Sequence, residues 1–371
     1  MLNKLPAGVR RVSAAMVLHT GLVIVLMVLL ARARAAAQFV PFGYDGIAIY
    51  AADCREGGNI AVAGARGTIA VSRDGGVSWR VSAPLPEGVL ADIQYLDDQR
   101  IIAVGAIGTA RRHQLGAVAR SDDGGASWSV QVLPAGLLRL AFAGPRAGFA
   151  LATDGRVLRT LDGGWSWEET APLAGSFSPR SLALFVSDPL TVIAGTLRGA
   201  GRSDNGGASW QALSPPALGA WIGAWASGRE RLWFAGEYGV AYSDDAGITW
   251  RIDRPWPGMR LVALKHSDAG VIYAVVAPTA AAAAPALSVP PAASVLLRSR
   301  DGGYTWQRVA GALLPAPAGT SASSISTLCP AGSDTLYLIG EHGAILKSLD
   351  GGVSWATIGA QLLGLSRPRV V

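Results

Sequence analysis

Seven acidic or amide side chains recur in one eight-residue pattern, Ser/Thr-x-Asp/Asn-Gly/Ala-Gly-x-Ser/Thr-Trp, which could form either a calcium loop or a tight turn. The copies begin at Ser72, Ser121, Thr160, Ser203, Ser243, Ser299 and Ser348. A calcium loop needs a series of oxygen ligands that ends in a bidentate carboxylate, and no copy supplies one. Asp at the third position can instead accept hydrogen bonds from backbone N–H groups within a turn. The pattern, called the box below, therefore predicts a structural turn and no metal site.

Another set of polar side chains could act on sialosides. A sialidase needs arginines for the substrate carboxylate, a tyrosine nucleophile and an acid/base carboxylate. Arg66, Arg156 and Arg198 could imitate the arginine cluster, and Tyr238 with Glu237 the remaining groups. The Arg-Ile-Pro motif expected near the start of sialidases is absent, which argues against this chemistry.

Other catalytic chemistry has even fewer candidates. A glycosidase that works through two carboxylates needs a close acidic pair, and only their loop positions recommend Asp154 and Glu237. The four histidines show no metal-ligand spacing, and no phosphate loop, nucleophile elbow or Cys–His pair stands out. We therefore expect a protein that is not an enzyme and that needs no cofactor.

The spacing of the boxes predicts the elements that carry these residues. Each box lies between two short apolar runs, so it joins two strands. Successive box tryptophans are 49, 39, 43, 40, 56 and 49 residues apart. A period of about 40–50 residues with four strands per unit is typical of a β-propeller. Residues 44–358 are therefore predicted to form an all-β, seven-bladed propeller with four-stranded antiparallel blades.

Within the box, the two central positions are expected to differ. The fifth residue is Gly in all seven copies, which indicates a backbone with positive φ. The fourth position admits Ala246, and we expect no such demand there. Asn205 replaces Asp in the fourth copy and should preserve the turn, because its side-chain oxygen still accepts. In each blade the box should join the third strand, C, to the outer strand, D.

Strand positions follow from the same rhythm. In blade 1 the strands are predicted near Ile47–Ala51, Ile60–Ala63, Thr68–Ser72 and Trp79–Val81, and in blade 7 near Ile325–Leu328, Thr335–Ile339, Ala344–Lys347 and Trp355–Ile358. Two insertions interrupt it, Gly105–Gly116 in blade 2 and an Ala/Pro-rich stretch, Pro278–Ala293, in blade 6. Both are expected between the second and third strands, B and C. Residues 359–371 form a C-terminal tail.

The box resembles the Asp-box, or BNR repeat, of sialidases and other propellers. A longer unit, Gly-x-x-Gly followed by an apolar position and the box, appears at Gly64–Gly67, Gly236–Gly239 and Gly340–Gly343. This unit is similar to that of the photosystem II stability/assembly factor family, whose members assist assembly of a membrane complex in plastids and cyanobacteria. The resemblance covers about residues 44–358. It implies a role of the same class, with a protein or membrane-complex partner, and does not indicate whether the host is photosynthetic.

Charged residues of the turns between strands B and C are candidates for partner contacts, because loops on a rigid scaffold often carry binding residues. The alternative is that they are ordinary solvated turn residues. The candidates are Arg66, Arg111, Arg112, Arg156, Arg198, Glu237, Tyr238, Glu341 and His342.

The N-terminus carries the features of an export signal. Lys4, Arg10 and Arg11 precede an apolar run from Val12 to Ala31, and small residues follow at Ala35–Ala37. Residues 1–37 are therefore expected to be a cleaved signal peptide or a helical inner-membrane anchor, since residues 12–31 could span a bilayer. Either outcome places the propeller in the periplasm.

Net charge gives no support for nucleic-acid binding. Five of the 32 basic residues and none of the 26 acidic ones lie in residues 1–37, so the rest of the chain is nearly neutral. The two cysteines, Cys54 and Cys329, fall in blades 1 and 7, which a closed ring makes neighbours, and they are either bonded or simply buried. Trp221, Trp225, Trp233 and Trp256 lie outside the boxes and form either an aromatic patch or part of the core.

These observations favour an exported, monomeric scaffold that binds a protein or membrane complex as an assembly or stability factor. A carbohydrate-binding or sialidase-like glycoside hydrolase propeller is the alternative.

Overall fold

The computed structural model describes residues 48–108, 115–173, 183–196, 199–267, 270–279, 294–313, 325–340 and 345–358. They form seven four-stranded antiparallel sheets, each made of four strands that are consecutive in the chain. The predicted seven-bladed propeller is therefore confirmed. The predicted signal or anchor, residues 1–37, and the tail, residues 359–371, lie outside the described residues.

The blades are numbered in chain order. Blade 1 contains β1 (Ile49–Arg55), β2 (Asn59–Gly64), β3 (Ile69–Ser72) and β4 (Arg80–Ser82); blade 2 contains β5 (Gly88–Tyr95), β6 (Ile101–Ile107), β7 (Leu115–Ser121) and β8 (Ser129–Leu133); blade 3 contains β9 (Leu137–Ala143), β10 (Ala147–Ala152), β11 (Val157–Thr160) and β12 (Glu168–Glu169); blade 4 contains β13 (Ala183–Val186), β14 (Val192–Thr196), β15 (Gly199–Ser203) and β16 (Gln211–Leu213). Blade 5 contains β17 (Trp221–Ser227), β18 (Arg231–Gly236), β19 (Gly239–Ser243) and β20 (Arg251–Asp253); blade 6 contains β21 (Met259–His266), β22 (Ile272–Pro278), β23 (Val295–Ser299) and β24 (Gln307–Leu313); blade 7 contains β25 (Ile325–Ala331), β26 (Thr335–Gly340), β27 (Ile345–Ser348) and β28 (Ala356–Ile358). Two short 3₁₀ turns occupy Glu56–Gly58 and Ala65–Gly67.

The observed boundaries differ from the predicted ones chiefly in the inner strands. β1 extends to Arg55, four residues beyond its predicted end, and β25 extends to Ala331. Both insertions lie between strands B and C, as predicted, although β6 and β7 take up part of the first one. Residues 109–114 and 280–293 of these insertions are outside the described residues.

Strand order defines two faces. Because each blade is antiparallel in the order A-B-C-D, the A–B and C–D connections share one face and the B–C and D–A connections share the other. The C–D connections are the boxes, so the first is called the box face and the second the B–C face. The A strands pack against one another around a central channel, and β25 packs against β1, which closes the ring.

Each box is a closed hydrogen-bonded unit. In blade 1, Asp74 accepts from the Ser72 hydroxyl at 2.8 Å and from the Ser78 N–H at 2.9 Å and hydroxyl at 2.5 Å. Ser72 in turn accepts from the Gly76 N–H at 2.9 Å. The carboxylate is thus satisfied by donors of its own turn, as predicted. Asn205 serves in the same way, because its oxygen accepts from Ser203 and Ser209.

The expectation for the fourth box position was wrong. The fifth-position glycines have φ between 85° and 103°, but the fourth residue also has positive φ in every blade, between 60° and 79°. Ala246 adopts φ 60° and is one of the two described non-glycine residues with positive φ, the other being Arg66. The turn therefore needs two consecutive left-handed residues. Ala246 therefore adopts the left-handed backbone conformation, which the Cβ atom of alanine disfavours.

A disulfide joins the first and last blades. Cys54 and Cys329 are bonded, with their Cα atoms 5.7 Å apart. Residues at equivalent positions of adjacent blades would be too far apart for a disulfide, but these two positions are not equivalent. Ile49 and Ile325 are equivalent, because they pair with corresponding glycines. Cys54 lies five residues after Ile49, whereas Cys329 lies four residues after Ile325. The offset brings them within bonding distance. Among the strands that the structure describes, none is shared between blades 1 and 7, and the disulfide joins these two blades covalently.

The core consists of layers between neighbouring blades. The four tryptophans outside the boxes belong to it, since Trp221, Trp225, Trp233 and Trp256 are at most 5% exposed. Five of the box tryptophans also donate from Nε1 to the fifth-position carbonyl of their own box, at 3.0–3.2 Å. Within the described ranges, no helix is long and apolar enough to cross a membrane.

Candidate functional site

Four of the predicted contact residues lie on the B–C face. Arg66 is exposed at the turn after β2, Arg156 follows β10, and Glu237 and Tyr238 form the two-residue turn between β18 and β19. The other five candidates are outside the described residues: Arg111, Arg112, Arg198, Glu341 and His342. The described candidates belong to blades 1, 3 and 5, so they are distributed around the face.

Arg156 is less available than the sequence suggested. Its guanidinium forms ion pairs with Asp154 at 2.7 Å and with Glu169 at 3.0 Å. The hydrogen bonds that it donates to Asp154 and Glu169 raise the pKa of the Arg156 guanidinium. Much of its charge is therefore neutralised locally, and it contributes less to a basic surface than Arg66 does.

Glu237 anchors the next blade. Its carbonyl accepts from the Leu261 N–H at 2.7 Å and from Nε1 of Trp256 at 3.1 Å. Its carboxylate accepts from the Ala220 N–H at 3.3 Å. Tyr238, which is 48% exposed, is the member of this turn that is open to a partner.

The central channel contains polar groups that sequence reasoning missed. A cavity of about 610 Å³ is lined by A strands from all seven blades. Asp53 and Asp92 line it from blades 1 and 2, Arg139 from blade 3, and Lys265 with His266 from blade 6. The available signal was an acidic residue just after a predicted inner strand, as in Ala51-Ala-Asp-Cys54.

Both channel carboxylates tie adjacent blades together. Asp53 accepts a hydrogen bond from the Tyr95 N–H of blade 2 at 2.7 Å, and Asp92 accepts from the Leu140 N–H of blade 3 at 2.9 Å. The second oxygen of Asp92 accepts from the adjacent Ile93 N–H at 3.0 Å. These bonds give the two carboxylates a structural role.

Burial raises the pKa of Asp53, while the charge of Lys265 acts in the opposite direction. The two groups are more than 4.0 Å apart, so Lys265 is a neighbour across the channel and not an ion-pair partner.

His266 is held in its neutral form. Its ring is accessible from the channel and lies within the channel walls. The ring centroids of Trp225 and Phe185 are 5.2 and 6.5 Å from that of His266. Burial within these walls and then the charge of Lys265 lower the pKa of His266 to about 4. Among the side chains described, no group of three or more His, Cys, Asp or Glu residues could hold a metal ion.

No protein-family model matches the chain, and no curated protein matches its sequence. Solved structures do share its fold. YCF48 bound to a D1 peptide superposes with a TM-score of 0.59 at 17% identity, covering 84% of this chain and 95% of that one. The GH74 xyloglucanase of Xanthomonas campestris gives 0.65 at 16% identity over 85% of this chain and 54% of its own. A catalytically inactive virginiamycin B lyase of Staphylococcus aureus gives 0.58 at 13% identity over 84% and 98%.

At these identities the likeness shows the fold and nothing finer. The neighbours include an assembly factor and enzymes, so the shared fold does not select between them. The chain is thus a seven-bladed propeller similar in fold to YCF48, the photosystem II assembly factor, and equally to propellers that perform catalysis.

Proposed function

We propose that the protein is an exported, non-enzymatic scaffold that binds a protein or membrane complex and assists its assembly or stability. The supporting observation is that both channel carboxylates, Asp53 and Asp92, hold backbone N–H groups of the next blade. Carboxylates committed in this way stabilise the ring and are poorly placed to act as an acid–base pair. The YCF48 structure with a D1 peptide provides an example of this fold holding a protein segment.

The partner surface in this proposal is the B–C face. Of the candidate contact residues, Arg66 and Tyr238 are described and exposed on this face, and Arg198 belongs to it by sequence position. Charge at such a surface would steer association and make capture sensitive to salt. The chain would act as a monomer in the periplasm, either soluble after signal cleavage or anchored through residues 12–31.

Affinity capture from solubilised membranes tests this proposal. The variant Arg66→Glu/Arg198→Glu should fold normally, because charges in exposed turns contribute little to stability. It should recover less partner than the wild type, most clearly at low salt. Arg300→Glu, an exposed charge reversal on the box face, is the matched control. If Arg300→Glu alone lowers capture, the partner surface lies on the other face and the proposal fails.

One observation favours the carbohydrate alternative. Asp53 combines a raised pKa with a position in the channel, and the charge of Asp92 is among the causes of that shift. A carboxyl group with a raised pKa is what a glycosidase needs as its general acid. Hydrolysis of xyloglucan or a sialoside by the purified protein, lost in Asp53→Asn, would support this function in place of the scaffold.

A further inference from the structure

The box face carries an arginine at several blade junctions. In blade 2, Arg120 directly precedes the box and pairs with Asp122, two residues further on, at 2.7 Å. In blade 4, Arg202 pairs with Asp204 in the same way at 2.8 Å. Both arginines are nearly buried, with 6% and 2% of the side chain exposed. The aspartate of each pair thus neutralises a guanidinium enclosed between two blades.

Blade 3 has the arginine without the aspartate. Arg159 directly precedes its box, but Leu161 stands two residues further on. Among the described residues Arg159 has no ion pair within 4.0 Å. Its Nε is buried and has no hydrogen-bond partner. A buried donor without a partner costs free energy, which an added acceptor would recover.

The facing blade does not supply the missing carboxylate. The guanidinium lies against Gly206, since a Cβ placed there would be 2.7 Å from its Cζ. Gly206 belongs to the box whose aspartate is replaced by Asn205. The carboxylate that pairs with Arg120 and Arg202 is therefore absent for Arg159, and the facing box carries an amide in place of its own carboxylate.

The remaining acidic groups nearby are engaged or distant. Asp204 is held by Arg202. Asp188 accepts from the N–H groups of Leu190 and Thr191, each at 2.9 Å. Glu168 is the register partner of Arg159 across the β11–β12 pair, but it is exposed and outside ion-pair distance.

An exposed apolar pair accompanies the unpaired arginine. At the junction of blades 1 and 2, Arg73 donates to the Gln99 side chain at 3.1 Å. Leu161 occupies the same box position in blade 3 as Arg73 does in blade 1. Leu190 of blade 4 is equivalent to Gln99 of blade 2, because the carbonyl of each accepts a hydrogen bond at 2.7 Å from the N–H of the fourth box residue of its own blade. A polar bridge is thus replaced by two leucines, 50% and 52% exposed.

Trp165 belongs to the same box as Leu161 and is 55% exposed, but it lies at a different junction. Its ring lies over Arg120 of blade 2, whose Cζ is 4.5 Å from the ring centroid, and Arg120 also donates to the Gly163 carbonyl of this box. The apolar surface beside Arg159 therefore consists of Leu161 and Leu190.

We propose that the junction of blades 3 and 4 on the box face binds a short segment of a partner protein that carries a carboxylate beside an apolar side chain. The carboxylate pairs with the Arg159 guanidinium, whose planar group suits two-oxygen recognition. The apolar side chain packs on Leu161 and Leu190. This site is on the face opposite to the B–C turns, so it does not depend on the partner surface proposed above.

A pair of labelled peptides tests the site by fluorescence anisotropy. Each consists of Gly and Ser with blocked ends and a central pair, Leu-Asp in one and Leu-Asn in the other. The wild type should bind the Leu-Asp peptide at least about tenfold more tightly, since a hydrogen-bonded charge pair is typically worth that factor or more. Leu161→Asp recreates the pairing of blades 2 and 4 and should weaken Leu-Asp binding by a similar factor.

Leu349→Asp is the matched control. It makes the same change at the same box position of blade 7, where Leu349 is 68% exposed, and should leave peptide affinity unchanged. Leu161→Asp should melt no lower than wild type, because its new carboxylate finds Arg159. If it does not fold, Arg159→Gln takes its place and must lose the preference for Asp over Asn. Absence of Leu-Asp binding at millimolar concentration, equal binding of the two peptides, or unchanged binding by these variants would each overturn the proposal.

Discussion

Removal of the Cys54–Cys329 bond should destabilise the propeller more than any single blade contact. The bond closes a loop with a sequence separation of 275 residues. The chain-entropy relation for a loop of that length gives about 19 cal/mol/K, or about 5.6 kcal/mol at 25 °C. Measured losses on removing native disulfides run at about 2–5 kcal/mol. We therefore expect Cys54→Ala/Cys329→Ala to lose an amount near the top of that range.

The seam should nevertheless remain folded in the variant. Ile49, Ile60, Tyr337 and Ile339 pack around the bond and are at most 1% exposed. Their apolar contacts hold blades 1 and 7 together without it. The loss should thus appear as lower resistance to denaturant, with the native near-ultraviolet circular dichroism retained.

Urea denaturation followed by tryptophan fluorescence measures the effect. Wild type and variant are compared under oxidising conditions, and a reductant is then added to both. Reductant should move the wild-type midpoint to that of the variant and leave the variant unchanged. Coincident midpoints of the oxidised proteins would refute the reasoning that the bond restrains the unfolded chain.

Three further predictions concern the box of blade 5 and its counterparts. Ala246→Gly should stabilise by about 1 kcal/mol, because it relieves a left-handed alanine, whereas Gly247→Val should destabilise at φ 89°; urea midpoints that move otherwise would contradict this account. Trp250→Ala should cost about 3–5 kcal/mol of unfolding free energy, and a melting temperature equal to wild type would show that the ring is not part of the core. Hydrogen bonds, first those from Thr249 and Ser354, lower the pKa values of Asp245 and Asp350 to about 2. The stabilisation by these carboxylates should therefore be complete above the unfolded pKa of 3.8 and be lost as the pH falls towards 2. A free energy of unfolding that stays constant between about pH 4 and pH 2 would contradict this prediction.

The periodic features of the fold were predictable. The box and its flanking apolar runs specify local structure and recur seven times at regular spacing. The number of blades, the strand order and the placement of both insertions could therefore be derived without tertiary information. The role of the box aspartate could also be derived, because Asp74 bonds only residues of its own turn. The fourth box position could not, because Ala246 hid a positive φ that only backbone coordinates reveal.

The site was less predictable than the fold. Turn positions correctly located Arg66 and Tyr238 on the B–C face. One of the two ion pairs of Arg156 is with Glu169, which lies thirteen residues away in β12. Asp53 and Asp92 were not among the residues singled out from the sequence. Their partners are backbone N–H groups of the following blade, 42 and 48 residues further on, a distance that no local pattern encodes.

By itself the sequence determined how many blades form, how each is connected and which face carries the boxes, because hydrophobic alternation and turn chemistry act over a few residues. The contacts between neighbouring blades depend on tertiary structure. The approach of Cys54 to Cys329 depends on the packing of β1 on β25, which brings their Cα atoms to 5.7 Å. The sequence shows Leu161 where Arg159 lacks an aspartate, but only the structure shows that the neighbouring blade places Gly206 and no carboxylate against the guanidinium, since charges interact through space and not along the chain.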